Sequence, residues 1–169
     1  KRIDEGRSPI EPGTAALLRA LDHAGIDAEP LCDIVEVRDQ KWRLAVEAAL
    51  GRSREALIVA PERAIEALDI YRRGSEESYR HAEVVNTTKT PQTRPADKGS
   101  LATVVPTDNR HARAFLDYRI GRLMMVETTE RLLAFENAIT PDRMMHSGRT
   151  VKRLSHPGHL KLGRSTAEE

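Results

Sequence analysis

The sequence is poor in the residues on which several classes of protein depend. Cysteine occurs once, at Cys32, so a disulfide framework within the chain is excluded. A single cysteine in an apolar run is typical of a small core residue and not of a nucleophile. Aromatic residues make up 4% of the 169 residues, and no apolar run is long enough to cross a bilayer. With no signal peptide visible either, we expect a cytoplasmic protein without a membrane partner.

Motifs that carry chemistry are also missing. The ten glycines do not form the closely spaced group that a phosphate-binding loop needs, and no GxxxxGK[ST] motif occurs. His156 and His159 are the only close histidine pair, and the Pro-Gly between them prevents a helical metal-binding face. Asp108, His111 and Asp117 crowd one predicted helix, so a hydrolase remains an alternative if these side chains converge. We predict no catalytic residue, no metal and no cofactor.

One pattern occurs twice, seventy residues apart. "LCDIVEVRDQKWRLAVEAALG" at 31–51 and "LATVVPTDNRHARAFLDYRIG" at 101–121 have the same length and similar residue types. The identical pairs are Leu31/Leu101, Val35/Val105, Arg43/Arg113 and Gly51/Gly121. Because strand–helix–strand–helix follows in both copies, the sequence predicts two similar lobes around a pseudo-twofold axis. The expected class is α/β (α+β), with each lobe a β-α-β-α unit.

The first copy and its flanks predict particular elements. We expect a helix at about 12–24, a strand at "CDIVEV", and a helix that Asp39 caps and that runs through Leu50 to a stop at Gly51. "EALIVA" predicts a buried strand, and "PERAIEALDIYRR" predicts a helix with Ile65 and Leu68 facing inward.

The second copy predicts the same order. "SLATVV" and "RLMMV" indicate strands, and Thr107 or Asp108 is expected to cap a helix that ends at Ile120. "TTERLLAFENA" indicates a helix, and "RMMHSGRTVKRL" a β-hairpin that turns at Ser147-Gly148. Between the copies, "VVNTTKTPQTRPADKGS" has little to bury and predicts a loop or linker.

Charge is distributed unevenly, although the net charge is only +1. Residues 143–164 carry six Lys or Arg and no Asp or Glu. Such a density of positive charge attracts a phosphate backbone, so this segment predicts contact with DNA. The alternative is a solvated hairpin whose charge is balanced by acidic residues elsewhere in the fold. The expected DNA-binding residues are Arg149, Lys152, Arg153, Lys161 and Arg164.

These stretches resemble a known family. "DIVEV…W…AVEAALG…ALIV" with "PERAIEALDIYRR" resembles the first half of the hinge domain of SMC-type chromosome-organising ATPases. "GSLATVVPTDNRHARAFLDYRIGRLMMVETTERLLAFENAITPDRMMHSGRTVKRL" is similar to its second half in the bacterial MukB-like branch, which includes MksB and the JetC protein of Wadjet plasmid-defence systems. "LKLGRSTAEE" resembles the return to the coiled coil, and the charged sequence at both ends suggests a piece of a longer protein.

The resemblance implies a domain organisation and a function. Residues 1–169 would form a single hinge domain, with an N-lobe at about 10–85, a linker at 86–100, a C-lobe at about 101–155 and a tail at 156–169. Two copies would form a homodimer, each lobe meeting the opposite lobe of its partner, and join two coiled-coil arms. The fragment would not be an enzyme, because ATP hydrolysis would belong to a separate head domain. The implied interface residues are Gly51, Gly121, Met144, Met145 and Gly148.

The same resemblance implies partners and a location. DNA is an expected partner, and kleisin and other complex subunits would bind parts of the full-length protein outside this sequence. The protein would act in a bacterial cytoplasm, on the nucleoid or on plasmids.

Two positions depart from the family pattern. SMC hinges usually carry a glycine-rich run near the C-terminal end, whereas only Gly148 stands there in this sequence. The Wadjet-like branch leads us to expect a glycine where Arg143 stands. The family's interface residues therefore carry over only weakly to this sequence.

A second function class also stays open. It is a dimeric small-molecule-binding regulatory α/β domain, which would need a concave pocket with converging polar groups between the lobes.

Overall fold

The computed structural model describes residues 9–163. Helices and short strands alternate along this part of the chain. In chain order they are α1 (Pro12–His23), β1 (Ala28–Pro30), α2 (Leu31–Ile34), α3 (Arg43–Leu50), β2 (Leu57–Val59), α4 (Ala64–Arg73), α5 (Arg110–Ile120), β3 (Met124–Met125), α6 (Thr129–Ala134), β4 (Ala138–Ile139), β5 (Met144–Ser147) and β6 (Thr150–Arg153). Short 3-10 helices cover 40–42, 51–55, 61–63, 87–92 and 101–104.

Two sheets define two lobes. In the N-lobe, β1 pairs antiparallel with β2, and β2 also forms a parallel bridge through Leu57 to Val84. In the C-lobe, Ser100 bridges antiparallel to β3, β3 pairs parallel with β4, and the hairpin β5–β6 continues the sheet in the order β3-β4-β5-β6. The mixed α+β class is the one expected from the sequence.

The two copies of the sequence pattern make equivalent hydrogen bonds. Leu31 N donates to Ala56 O at 2.8 Å, and Leu101 N donates to Leu123 O at 2.8 Å. Ala56 directly precedes β2 and Leu123 directly precedes β3, so β2 and β3 are equivalent strands. At their first residues, Leu57 N donates to Glu83 O and Met124 N donates to Asn137 O. The repeat in the sequence is therefore a repeat in the backbone connections.

The lobes share one hydrophobic core. Leu31 and Leu101 are both fully buried, and both belong to a cluster that also holds Val46 of α3 and Leu116 of α5. A second cluster lies between α1, α4 and the strand β2. Hydrogen bonds join the copies directly, since Arg38 N donates to Val104 O at 2.9 Å and the Thr107 side-chain Oγ1 donates to Ile34 O at 2.7 Å.

Two predicted strands are wrong. "CDIVEV" begins within the short helix α2 and continues as extended backbone, and "SLATVV" contains a 3-10 helix at 101–104. The alternating apolar residues suggested a ladder, but the burial of Leu31, Cys32 and Val35 follows a helical turn. The extended residues after each helix bond to the other copy instead of to a neighbouring strand of a sheet.

Other details differ by small shifts or by the face that is buried. In α4, Ile65 is 78% exposed and Leu68 is 37% exposed, so the predicted inward face is wrong; Ala64 and Ala67 face the core. Asn109, and not Thr107 or Asp108, caps α5, because its side chain accepts from the amides of the first turn. The hairpin turns at Gly148-Arg149, one residue later than predicted.

Other predicted elements are present. Helix α1 lies within the predicted 12–24, Asp39 caps the turn that leads into α3, and β2, β3, α6 and the β5–β6 hairpin form within the stretches that predicted them. Residues 87–92 of the predicted linker form a 3-10 helix that Asn86 caps. No helix within residues 9–163 has both the length and the apolar character needed to cross a membrane.

Candidate interaction surfaces

The hairpin β5–β6 forms the outer edge of the C-lobe sheet. All four residues of β6 are exposed, whereas the four residues of β5 are half-buried. Gly148 and Arg149 have φ of 61° and 66°, as a two-residue hairpin turn requires. In such a hairpin the pairs Ser147–Thr150 and Met145–Lys152 exchange hydrogen bonds, so the amides of Val151 and Arg153 point away from β5.

Three predicted DNA-binding residues lie together on this hairpin. Arg149 is at the turn, and Lys152 and Arg153 are exposed on β6. Arg153 also pairs with Asp142 at 3.5 Å and donates to the Asp142 carbonyl at 2.9 Å. A hydrogen bond from Thr140 is the largest cause that lowers the pKa of Asp142, and the nearby Arg153 contributes to the lowering. One acidic residue therefore offsets part of the positive charge of the hairpin.

The other two predicted DNA-binding residues are placed differently. Lys161 is largely buried and forms an ion pair with Glu55, so its ammonium group does not contribute to the hairpin surface. Arg164 lies outside the described residues.

The predicted interface residues fall into two groups. Met144 and Met145 are half-buried on β5 and Gly148 is in the exposed turn, so all three belong to the β5–β6 hairpin. Gly51 and Gly121 end the equivalent helices α3 and α5. Gly51 has φ of 53°, and a Cβ on Gly121 would lie 2.0 Å from Asp117 O. Local backbone geometry is thus sufficient to require glycine at these two helix ends.

Arg143 adopts a conformation that favours glycine. Its φ is 76°, it precedes β5, and its guanidinium donates to Leu154 O. The backbone therefore has, at this position, the geometry that the expected glycine would supply.

The N-lobe sheet has an open edge where the C-lobe sheet has a hairpin. Leu57 N donates to Glu83 O and Val85 N donates to Leu57 O, so residues 83–85 bond to β2 from one side. The equivalent strand β4 bonds to β3 on one side and pairs with β5 on the other, with Ala138 opposite His146. Within the described chain no strand takes the place of β5 beside Val84.

A cationic groove of about 720 Å³ lies next to this open edge. The 3-10 helix 87–92 forms one wall, α5 forms the other, and Val85 and Asn86 line its end. Thr90 Oγ1 and His111 Nδ1, 2.7 Å apart, join the two walls, while burial and the charge of Arg110 lower the pKa of His111. Aromatic side chains and four cations line the groove, none of its described lining residues being acidic: Phe115, Tyr118, Lys89, Arg94, Arg119 and Arg122.

A buried polar network was not predicted from the sequence. The Glu47 side chain is fully buried and pairs with Arg54 at 2.7 Å, and Arg43 lies one helical turn before it. Glu47 also accepts from the amides of Lys161 and Leu162. The signal was present in the repeat, because Arg43–Glu47 and Arg113–Asp117 have the same spacing and both form ion pairs.

The candidate chemical sites find no support in the geometry. Asp108 lines a pocket between the two copies, His111 bonds to Thr90, and Asp117 pairs with Arg113, so each is engaged at a different place. Burial raises the pKa of the Cys32 thiol well above its usual range, and nearby Asp33 adds to the shift. In the part of the chain that is described, no cluster of His, Cys, Asp and Glu could hold a metal ion.

Known proteins of one family share this architecture. The family model of the SMC flexible hinge domain matches residues 25–132, more than half of the chain. The hinge of Geobacillus stearothermophilus SMC, solved as an asymmetric dimer, has a TM-score of 0.65 at 18% identity over 86% of this chain and 66% of that one. The Pyrococcus furiosus SMC hinge has a TM-score of 0.60 at 17% identity over 91% and 93%.

The fission yeast Smc5/6 hinge is also similar, with a TM-score of 0.60 at 14% identity over 89% of this chain and 67% of that one. No curated protein sequence matches this chain. At these identities the solved structures establish the fold, and the family model establishes the membership. The chain belongs to the SMC flexible hinge domain family.

Proposed function

We propose that this chain is a homodimerisation hinge that joins two coiled-coil arms of a longer SMC-like ATPase. The observation that carries the proposal is a pair of unpaired sheet edges in the described chain. Strand β6 is exposed at the edge of the C-lobe sheet, and the N-lobe sheet is open beside Val84. An exposed sheet edge presents unpaired amides and carbonyls, and pairing it across a twofold satisfies both copies. The similar Geobacillus hinge was solved as a dimer.

The internal repeat indicates how the copies would meet. In the C-lobe, the outer side of β4 is covered by β5 of the same chain. In the N-lobe, Val84 occupies the position of Ala138, and its outer side is open. We place β6 of the partner beside Val84, a contact that we call the seam. Each C-lobe then meets the opposite N-lobe. Two such seams form in one dimer and would together bury on the order of 1,200–2,000 Å².

The test removes a single outward amide. Val151→Pro deletes an N–H that points away from β5 and leaves the β5–β6 bonds in place, so we expect the dimer to dissociate. Val151→Ala keeps the N–H and is the matched control. Light scattering at micromolar concentration should show a dimer for the wild type and the control, and a monomer for the proline variant. A monomeric wild type would contradict the proposal.

We also propose that the hairpin contacts DNA. Arg149 and Lys152 are exposed, and the seam would bring them near Lys89 and Arg94 of the partner's cationic groove. Replacing Lys152 and Arg153 with Glu should weaken duplex binding and flatten its dependence on salt, by a slope of roughly 0.9 for each phosphate that the protein no longer neutralises. Arg72 and Arg73 on α4 provide the matched double replacement, which should change neither value. If the two double replacements change DNA binding equally, the hairpin is not a specific part of the DNA-binding surface.

We assign the chain to the MukB-like branch, the one that includes MksB and JetC of Wadjet systems. The quoted second-half sequence and the left-handed backbone at Arg143 support this assignment. The full-length protein would then be an ATPase that acts with kleisin and other subunits in the bacterial cytoplasm, in plasmid defence or chromosome organisation. In cells that carry the complete system, Val151→Pro should abolish plasmid exclusion, measured as transformation efficiency. Plasmid exclusion that persists in a variant shown to be monomeric would contradict this assignment.

A second candidate function, a small-molecule-binding regulatory domain, is favoured by the groove between the linker and α5, where polar groups converge around an aromatic wall. Its lining cations select an anion. A thermal-shift series with nucleoside phosphates tests it: stabilisation that Arg94→Ala abolishes would support the candidate, and no shift with any of them would exclude it.

A further inference from the structure

The segment 157–162, which we call the strap, is held on the N-lobe by buried charges. The Glu47 carboxylate accepts from the amides of Lys161 at 3.0 Å and Leu162 at 2.9 Å. Arg54, which is itself buried, donates to Pro157 O at 3.2 Å and His159 O at 2.8 Å. The strap follows the C-lobe in the chain, yet its polar anchors belong to α3 and the 3-10 helix 51–55 of the N-lobe.

The first described residues are fixed at the same place. The Lys161 ammonium pairs with Glu55 and donates to Pro9 O at 2.9 Å. Glu11 N donates to both oxygens of the same Glu55 carboxylate, at 3.1 and 3.2 Å. Both outermost described segments are thus tied to the 3-10 helix 51–55 by Arg54 and Glu55.

The same 3-10 helix also reaches the open sheet edge. Ser53 Oγ donates to Glu83 Oε1 at 2.7 Å, and Glu83 directly precedes Val84. Arg119 of α5, which lines the cationic groove, donates to Ser53 Oγ at 2.6 Å. Ser53 therefore touches the open edge from a helix whose next two residues hold the strap.

We infer that the 3-10 helix 51–55 couples docking of the strap to pairing at the open edge. A docked strap fixes Arg54 and Glu55, and with them the turn that positions Ser53 against Glu83 and Arg119. An undocked strap removes those constraints, so the edge is less well ordered for the partner's β6. Coupling between two sites is reciprocal, so dimerisation must in turn hold the strap in place.

This inference rests on the proposed dimerisation function. In that function, two coiled-coil arms would attach beyond residues 9 and 163. A force that pulls on the arms would then reach the seam through the side chains of Ser53, Arg54 and Glu55. The hinge would then open more readily when the strap is pulled away from the N-lobe.

The experiment compares two lysine-to-methionine variants of the full chain. Lys161→Met removes the ammonium that joins Glu55 to Pro9, whereas Lys41→Met removes a surface ion pair with Glu127 and is the matched control. Hydrogen exchange should rise at 157–163 in the first variant only. Its dimer dissociation constant, measured by sedimentation, should rise at least about fivefold, the lower end of usual allosteric couplings. Glu55→Gln, which keeps an acceptor for Glu11 N, is the second variant if Lys161→Met does not fold.

A double-mutant cycle then tests the route. Ser53→Ala removes the contact between the 3-10 helix and the open edge, so Lys161→Met in that background should change the dissociation constant by less than about twofold. Faster exchange of the strap with an unchanged dissociation constant would overturn the coupling while leaving the dimer intact. An unchanged exchange rate in both Lys161→Met and Glu55→Gln would overturn the anchoring itself. A wild type that stays monomeric would instead contradict the proposed function.

Discussion

The two lobes begin from the same pattern and use it for different purposes. Arg43 and Glu47 in α3 correspond to Arg113 and Asp117 in α5, and each pair is separated by one helical turn. Arg113 donates to Val105 O and Ala102 O, so the second pair holds backbone of its own lobe. The first pair holds the strap, since Arg43 donates to Leu162 O and Glu47 accepts from the strap amides.

The difference shows which part of a duplicated unit is free to diverge. The buried leucines and the backbone bonds to the strand are equivalent in the two copies, because the shared core admits little change in volume there. The charged pair lies at the boundary of that core and can serve any nearby carbonyl or amide. The two lobes therefore differ in the partners of one ion pair and in the β5–β6 hairpin, which, among the described residues, only the C-lobe has.

The largest expected effect tests the equivalence of the two cores. Leu31→Ala and Leu101→Ala each remove a fully buried side chain at matching positions, so each should lower the free energy of unfolding by about 2–5 kcal/mol. Chemical denaturation at one protein concentration measures both. Leu133→Ala, at a position that is 60% exposed, is the control and should change it by less than about 0.5 kcal/mol. A large decrease for one leucine and none for the other would break the comparison.

A smaller effect should separate the two ion pairs. Lysine cannot reproduce the forked donors of arginine, so Arg113→Lys should cost about 1–3 kcal/mol because the bonds to Val105 O and Ala102 O are not both made. Hydrogen exchange should then increase at 101–106. Arg43→Lys makes the same change at the equivalent position, but exchange should increase at 157–163, because its partner is Leu162 O. The same exchange pattern in both variants would contradict different roles for the pairs.

The repeat made much of the fold predictable. Two copies of one pattern specified two lobes, and the glycines at 51 and 121 located the ends of α3 and α5, because a helix stop depends on a few neighbouring residues. The strands "CDIVEV" and "SLATVV" failed because alternation cannot distinguish a ladder from a short helix followed by extended chain. Their hydrogen-bond partners lie in the other copy, far away in the sequence.

The interaction surfaces were predictable only in part. A run of cations with a turn in it indicates an exposed hairpin, so the exposed positions of Arg149, Lys152 and Arg153 were predictable from the sequence, while their contact with DNA stays a prediction. Lys161 belongs to the same run, but it is buried with Glu55, a carboxylate more than a hundred residues earlier. The open edge at Val84 is defined by a strand that the described N-lobe lacks, which no local pattern reveals.

The smallest expected effect concerns the caps of the equivalent helices. Asn109 Oδ1 accepts from two amides, those of His111 at 2.9 Å and Ala112 at 3.0 Å, whereas Asp39 Oδ1 accepts only from Lys41 N at 3.0 Å among the described bonds. Asn109→Ala should therefore cost about 1–2 kcal/mol of unfolding free energy and Asp39→Ala about 0.5–1 kcal/mol. Chemical denaturation measures both, and Asn109→Ser, which retains a capping oxygen, should recover most of the difference. A larger loss of unfolding free energy at Asp39 than at Asn109 would contradict this expectation, because the single bond to Lys41 N supports only the turn that leads into α3.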